Sequence, residues 1–235
     1  MNTPPPPTTA AYVINLDRHS DRLFEFYRQP DTHYFRRVAA VDKQVLALLG
    51  TTDFCFDTAF IRDHIDREAT FGEVGCTLSH IKTWQLIAEN ADLAENDFAL
   101  IAEDDVRLIN GFSYHLTKLL PAFRAMSADL IVLQRIYINE NSERLYQGGE
   151  FALAAPQSYL DCDDGGSSLY LIRKSKAAEL VRKLNSEKPH WLADEFSLFC
   201  PLDKMFIAQK ALGYVPSNSV SDLEQERIIA RRQAA

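Results

Sequence analysis

The sequence predicts an α/β fold with a largely parallel central sheet. Three observations carry that prediction. Short apolar runs rich in strand formers, such as AYVINL (11–16) and FALIA (98–102), stop abruptly in polar clusters. Longer stretches with apolar residues at helical spacing lie between them. The two kinds of segment alternate along the chain with no internal repeat and no linker, and alternating strands and helices pack as layers on a mainly parallel sheet.

AYVINL reads as a buried first strand. The cluster DRHSDR (17–22) follows it, with Ser20 placed to cap a helix over DRLFEFYRQ (21–29) that stops before Pro30. YFRRVAAVD (34–42) reads as a second strand. FGEVGCTLSHIKTWQLIAEN (71–90) carries Leu78, Ile81, Trp84, Ile87 and Ala88 at helical spacing behind two glycines. DFALIAEDD (97–105) is a third strand that delivers three carboxylates at its C-terminal end. GFSYHLTKLLPAFRAM (111–126) reads as helix, ADLIVLQRI (128–136) as strand and the turn-rich 139–151 as loop or hairpin. SSLYLIRKSKAAELVRKLNS (167–186) reads as strand running into helix, and 190–211 as one or two short helices. The expected organisation is a Pro-rich lead-in over 1–10, one domain over 11–220 and a charged tail over 221–235.

Composition narrows the function. The chain has 235 residues with a formal net charge of -8, which argues against a general nucleic-acid binder. The four cysteines, Cys55, Cys76, Cys162 and Cys200, form no CxxC pair, so neither a zinc ribbon nor a redox motif is expected. The opening MNTPPPPTTA has no basic start and no apolar segment, and no apolar run approaches the roughly 20 residues that span a bilayer. A cytoplasmic protein is therefore expected. In the tail, RIIARRQAA sets three arginines beside apolar residues, which suits either a solvated terminus or peripheral contact with anionic lipid.

Chemistry concentrates in a few segments. Glu103, Asp104 and Asp105 sit at a strand end, where open α/β sheets place their ligands. In an extended segment Glu103 and Asp105 point one way and Asp104 the other. Carboxylates suit hard cations such as Mn²⁺ or Mg²⁺; the plain alternative is a solvated acidic loop. GEVGCTLSH (72–80) offers Gly72 and Gly75 for close backbone approach, Glu73 and Ser79 for hydroxyls, and His80 for a phosphate or for positioning an acid. Taken alone, the segment reads first as a capped helix start with His80 in the core. Asn15 stands at the end of the first strand and Asp17, Arg18, Asp21 and Arg22 just past it, where arginine suits phosphate. Asp161, Asp163 and Asp164 precede Gly-Gly, a pattern for a sugar site or a turn. Trp191 offers a flat face for a sugar and Asp194 a general base; a buried Trp beside a helix-capping Asp fits as well.

Taken in order, VINLDRHSDR, FGEVGCTLSHIKTW, ALIAEDDV, SLYLIRKSKAAEL and LADEF resemble glycosyltransferase family 25, the group of bacterial lipooligosaccharide galactosyltransferases and animal collagen galactosyltransferases. The resemblance covers roughly 11–200. It implies a Rossmann-like GT-A fold, a UDP-sugar donor (commonly UDP-galactose), inversion at the anomeric carbon and Mn²⁺, with Mg²⁺ as a substitute. EDD is similar to the DxD motif of that fold. Asp105 is the implied direct metal ligand, supported by Glu103, and Asp104 faces the ribose or sugar. Asn15, Asp17, Arg22 and Asp42 lie near the uridine, although Lys43 stands where the family often has glycine after that aspartate. Asp194 matches the aspartate of a VDEF-like segment in the collagen relatives.

Inversion needs one carboxylate to deprotonate the acceptor hydroxyl, with Asp194 first and Asp163 and Asp164 next. The expected reaction moves a hexose, galactose first, onto a lipooligosaccharide or other glycan at the inner membrane surface. The rivals are a sugar nucleotidyltransferase and a non-catalytic nucleotide-sugar-binding module.

Overall fold

The computed structural model describes residues 10–134, 137–138, 143–148, 150–156, 162–163, 166–217 and 226–230, with the backbone alone for 137–138, 143–148 and 162–163. Its centre is an eight-stranded sheet. The strands are β1 (Ala11–Asn15), β2 (Arg36–Ala39), β3 (Phe98–Glu103), β5 (Leu130–Val132), β7 (Glu143–Gly148), β8 (Phe151–Ala155), β10 (Leu169–Arg173) and β11 (Met205–Gln209), in the order β2-β1-β3-β10-β5-β11-β8-β7. Six of the eight share one direction; β10 and β8 run against them, each antiparallel to both of its neighbours. Short pairs complete the strands: β4 (Arg107–Leu108) with β12 (Gly213–Tyr214), and β6 (Tyr137–Ile138) with β9 (Cys162–Asp163).

Both faces of the sheet are covered, which explains why the strands read as unbroken apolar runs rather than alternating ones. In β1 the side chains of Tyr12 and Ile14 join the cluster of Trp84 from α4 (Phe71–Glu89) and Leu180 from α6 (Lys174–Lys183). Ala11 and Val13 join the opposite cluster, with Phe26 from α1 (Ser20–Tyr27) and Leu116 from α5 (Phe112–Ala125). The result is three layers, helix–sheet–helix, in the Rossmann-like arrangement expected.

The stretch 43–65 carries no assignable pattern in sequence and folds as α2 (Lys43–Leu49) and α3 (Thr58–Ile65), which bury Leu46 and Ile61 against Val74 of α4. Within 190–211 the helices are single 3-10 turns, Phe196–Leu198 and Leu202–Lys204, and the run after them is β11. Ser20 is the first helical residue rather than the cap: His19 stands at the cap position of α1 without a side-chain hydrogen bond. Residues 226–230 are helical. Among the described residues no helix is long and apolar enough to cross a membrane.

Candidate functional site

The C-terminal ends of the neighbouring parallel strands β1 and β3 open into one cleft. Asn15, Arg18, His19 and Arg22 line it from the β1 side. Val41 comes from the loop into α2, Lys43 from the first residue of α2, and Gly72, Cys76, Ser79 and His80 from α4. Glu103 comes from the end of β3, and Asp104 and Asp105 from the turn after it. The crevice beyond strand C-termini is the general ligand position of open α/β sheets.

The position of α4 is set by two sequence features. Thr70 accepts from the Glu73 N–H (3.1 Å) while Glu73 accepts from the Thr70 N–H (2.9 Å), a capping box that starts the helix. Gly75 faces Val41, and a Cβ there would stand 2.8 Å from the Val41 carbonyl oxygen. Ser79 closes the same contact: its hydroxyl donates to the Gly75 carbonyl (2.6 Å) and accepts from the Val41 N–H (2.8 Å). Ser79 lines the cleft, but its donor and one acceptor site are already used in holding α4 to the loop.

The three carboxylates do not alternate as expected. β3 ends at Glu103, and Asp104 and Asp105 lie in a turn, so all three converge on the cleft. Their charge is offset from within the protein. Arg22 pairs with Asp104 and also reaches Asp105 Oδ2 at 3.1 Å. Asp104 is only 4% exposed, and its other oxygen accepts from Asn15 Nδ2 at 2.6 Å. Burial raises the Asp104 carboxyl above its ordinary value, outweighing Arg22 and Asn15. Asp104, expected to face a ribose or sugar, is thus held inside the protein by Asn15 and Arg22.

Asn15 is similarly engaged. Its amide also donates to the His19 carbonyl (2.9 Å), and its side-chain oxygen accepts from Arg37 Nε (2.9 Å). Its side chain thus ties the end of β1 to Asp104, His19 and Arg37.

Glu103 is set by a buried relay. Trp84 Nε1 donates to the Tyr170 hydroxyl (2.9 Å), which lies 2.8 Å from His80 Nδ1, and His80 Nε2 lies 3.5 Å from Glu103 Oε1. Either the Tyr170 O–H or the His80 Nδ1–H can donate within that pair, so His80 Nε2 faces Glu103 with a proton in one tautomer and with a lone pair in the other. Burial works against the charge of Glu103, but the hydrogen bond and charge of His80, the charge of Arg22 and the Ser167 hydroxyl together hold its carboxyl below the usual range. His80 thus faces the Glu103 carboxylate from the helix side of the cleft.

Other expected residues stand elsewhere. Glu73 is 2% exposed and saturated: Arg67 grips it with two hydrogen bonds (2.6 and 2.8 Å) and Arg227 with a third (2.8 Å). Burial alone would raise its carboxyl, yet these partners hold it at about 2. Glu73 has no oxygen to offer a donor hydroxyl. Trp191 is 1% exposed, packed with Trp84 and Phe199, and presents no face to a sugar.

Asp17 is exposed and pairs with Arg37. Asp42 caps α2 through the Gln44 N–H (2.8 Å) and pairs with Arg18, so its effect on the cleft runs through Arg18. Asp194 lies outside the cleft lining, with Oδ2 2.7 Å from Arg227. Asp164 and the side chain of Asp163 lie outside the described residues.

Arg18, expected to suit phosphate, lines the cleft. Two further lining residues were not expected in a site role: Lys43 brings positive charge, and Cys76 brings a thiol that burial, with Glu103, Asp194 and Glu73 nearby, pushes well above its ordinary range. Residues 226–230 fold back on α4: Glu226 accepts from the Gly72 N–H (3.0 Å) and pairs with Lys43 (2.8 Å).

The cleft's donor chemistry fits a hard divalent cation at Glu103 and Asp105, whose carboxylates both line it, with Asp104 committed to Asn15 and Arg22.

Sequence comparison decides the family. The profile of glycosyltransferase family 25 (LPS biosynthesis protein) matches residues 8–155, more than half of the chain. The chain belongs to glycosyltransferase family 25. The match contains every cleft residue named above, from Asn15 to Asp105. A glycosyltransferase 25 family member of Aedes aegypti is 29% identical over 186 residues, 75% of this chain and 28% of that protein. The family 25 member of Drosophila melanogaster is 34% identical over 154 residues, 63% of this chain and 24% of that protein. The human protein named inactive glycosyltransferase 25 family member 3 is 37% identical over 156 residues, 63% of this chain and 25% of that protein. The chain thus spans about a quarter of the length of these family 25 relatives.

Proposed function

We propose that this family 25 chain is a metal-dependent inverting glycosyltransferase that moves a hexose, galactose first, from a UDP-sugar to a lipooligosaccharide or other glycan acceptor. One observation carries the reading: the acids Glu103 and Asp105 share a cleft with the cations Arg18, Arg22 and Lys43 at the C-terminal ends of β1 and β3. A nucleoside diphosphate needs both, oxygen ligands for its cation and guanidinium or ammonium groups for its phosphates. The catalytic unit is taken as 11–220, working in the cytoplasm, with a peripheral approach to the inner membrane surface where such an acceptor is displayed.

In this reading Glu103 and Asp105 hold Mn²⁺, or Mg²⁺ in its place. The bound cation would draw off the charge that develops on the leaving diphosphate. Arg22 exchanges a carboxylate for phosphate oxygens, and Arg18 and Lys43 guide the diphosphate into the cleft. His80, fixed by Tyr170, keeps Glu103 aimed. Transfer is a single displacement: an acceptor hydroxyl oxygen bonds to the anomeric carbon, the bond from that carbon to the diphosphate breaks, UDP leaves, and the hydroxyl proton goes to a carboxylate. Asp194, steadied by Arg227, is the base proposed first, with Asp163 and Asp164 next.

The second reading is a non-catalytic nucleotide-sugar-binding module, favoured by the human relative whose name calls it inactive. A UDP-release screen over UDP-galactose, UDP-glucose and UDP-N-acetylglucosamine, with lipooligosaccharide acceptor and with Mn²⁺, Mg²⁺ or chelator, separates the two. Release with one donor that falls at least about a hundredfold in Asp105→Asn and on chelation supports the transferase. UDP binding without product under every condition supports the module. Product formed from UTP and a sugar phosphate would instead indicate a nucleotidyltransferase. Release indifferent to chelator and to Asp105→Asn removes the metal role.

A further inference from the structure

Among the described residues, one donor atom each of Cys76, His80 and Glu103 lie within 4.8 Å of one another, at the wall of the cleft. We propose that these three side chains form a second cation site in the same cleft, selective for a borderline-soft ion such as Zn²⁺ and competing with the hard cation for Glu103. The donor set is the first reason. A thiolate and an imidazole favour Zn²⁺ strongly over Mn²⁺ or Mg²⁺, whereas Glu103 and Asp105 alone show the opposite preference.

The scaffold is the second. Cys76 and His80 stand four residues apart on α4, hence on one face of one rigid helix, and Glu103 ends the central strand β3. None of the three depends on a flexible loop. The third is the support behind the ligands. Metal-binding imidazoles use their second ring nitrogen to fix orientation, and His80 Nδ1 already lies 2.8 Å from the Tyr170 hydroxyl, which Trp84 Nε1 anchors in turn. His80 Nε2 is left facing Glu103 at 3.5 Å, a distance a shared cation can bridge. Three protein ligands beside an open cleft leave a fourth position for water or a ligand oxygen.

The test is cobalt titration of the full chain in a non-thiol reductant, without nucleotide, so that its outcome is independent of the donor reading. A thiolate-to-cobalt charge-transfer band is expected in the near ultraviolet, displaced by one equivalent of Zn²⁺. The band should be absent from Cys76→Ser and present in Cys55→Ser and Cys200→Ser. Its absence from the native chain, or its survival in folded Cys76→Ser, overturns the site. Glu103→Gln serves as the second variant, whether or not Cys76→Ser folds: Zn²⁺ affinity should fall at least about tenfold, and an unchanged affinity overturns the site equally.

Discussion

Arg22, near the start of α1, reaches across the cleft to Asp105 in the turn after β3, Nη2 to Oδ2 3.1 Å, while pairing with buried Asp104. Three consecutive carboxylates are thus tolerated in the free protein by a guanidinium. In the proposed reaction a metal–diphosphate pair takes over that part.

The exchange predicts an interaction between Arg22 and metal. Arg22→Gln removes the guanidinium from Asp104, leaves it the hydrogen bond of Asn15, and should destabilise the chain by about 1–3 kcal/mol. Mn²⁺ should then raise the melting temperature of the variant more than that of the native chain. A smaller or equal rise would show that Arg22 and the cation do not serve the same carboxylates.

Acid should weaken the fold through Glu73. Its folded carboxyl titrates at about 2 against 4.5 for the free group. A carboxyl lowered on folding stabilises above its unfolded value, and that stability drains away as pH falls from about 4.5 toward 2. The difference corresponds to about 3 kcal/mol. Urea denaturation at about pH 6 and about pH 3 should show about 2 kcal/mol of this loss in the native chain and a shallower one in Glu73→Gln, which should itself cost about 3 kcal/mol at neutral pH by taking the shared carboxylate from Arg67 and Arg227. Equal pH slopes in the two proteins would contradict the assignment.

Gly75→Ala places a Cβ against the Val41 carbonyl, backbone against backbone. A destabilisation of about 1–3 kcal/mol is expected, and because Val41 and Lys43 line the cleft, UDP affinity should fall with it. Denaturation and calorimetric titration measure the two effects. A variant as stable as the native chain would mean that α4 and the loop are free to part.

Arg227 joins Glu73 to Asp194. A double-mutant cycle of Arg227→Ala with Asp194→Asn should return a coupling of about 1 kcal/mol. Additive effects would show that the fold-back of 226–230 does not steady Asp194.

The two sides of the site were unequally legible in sequence. β1, β3 and α4 announced themselves, because strands buried on both faces are apolar throughout and a long helix shows its spacing. The Thr70–Glu73 pair is a T-x-x-E cap, readable in principle, and it explains why Glu73 is structural rather than a sugar ligand. The pairing of Arg22 with residues 82 and 83 positions away was not legible: one sequence records charge, not which distant charges fold together. Trp191 beside Asp194 looked like a sugar platform because burial is a property of packing, not of neighbours in the chain. α2 and α3, short and with exposed apolar faces, lacked a clean period, and β11 was masked by the polar turns before it.

The central proposal, that the cleft at the ends of β1 and β3 binds the donor's diphosphate through a cation on Glu103 and Asp105, is tested most directly by a crystal soaked with Mn²⁺ and UDP. The expected result is an anomalous manganese peak bridging those carboxylates and the diphosphate, with Arg22 turned to phosphate oxygens. UDP and manganese found together away from residues 103–105, or UDP in the cleft with no cation beside it, would contradict it.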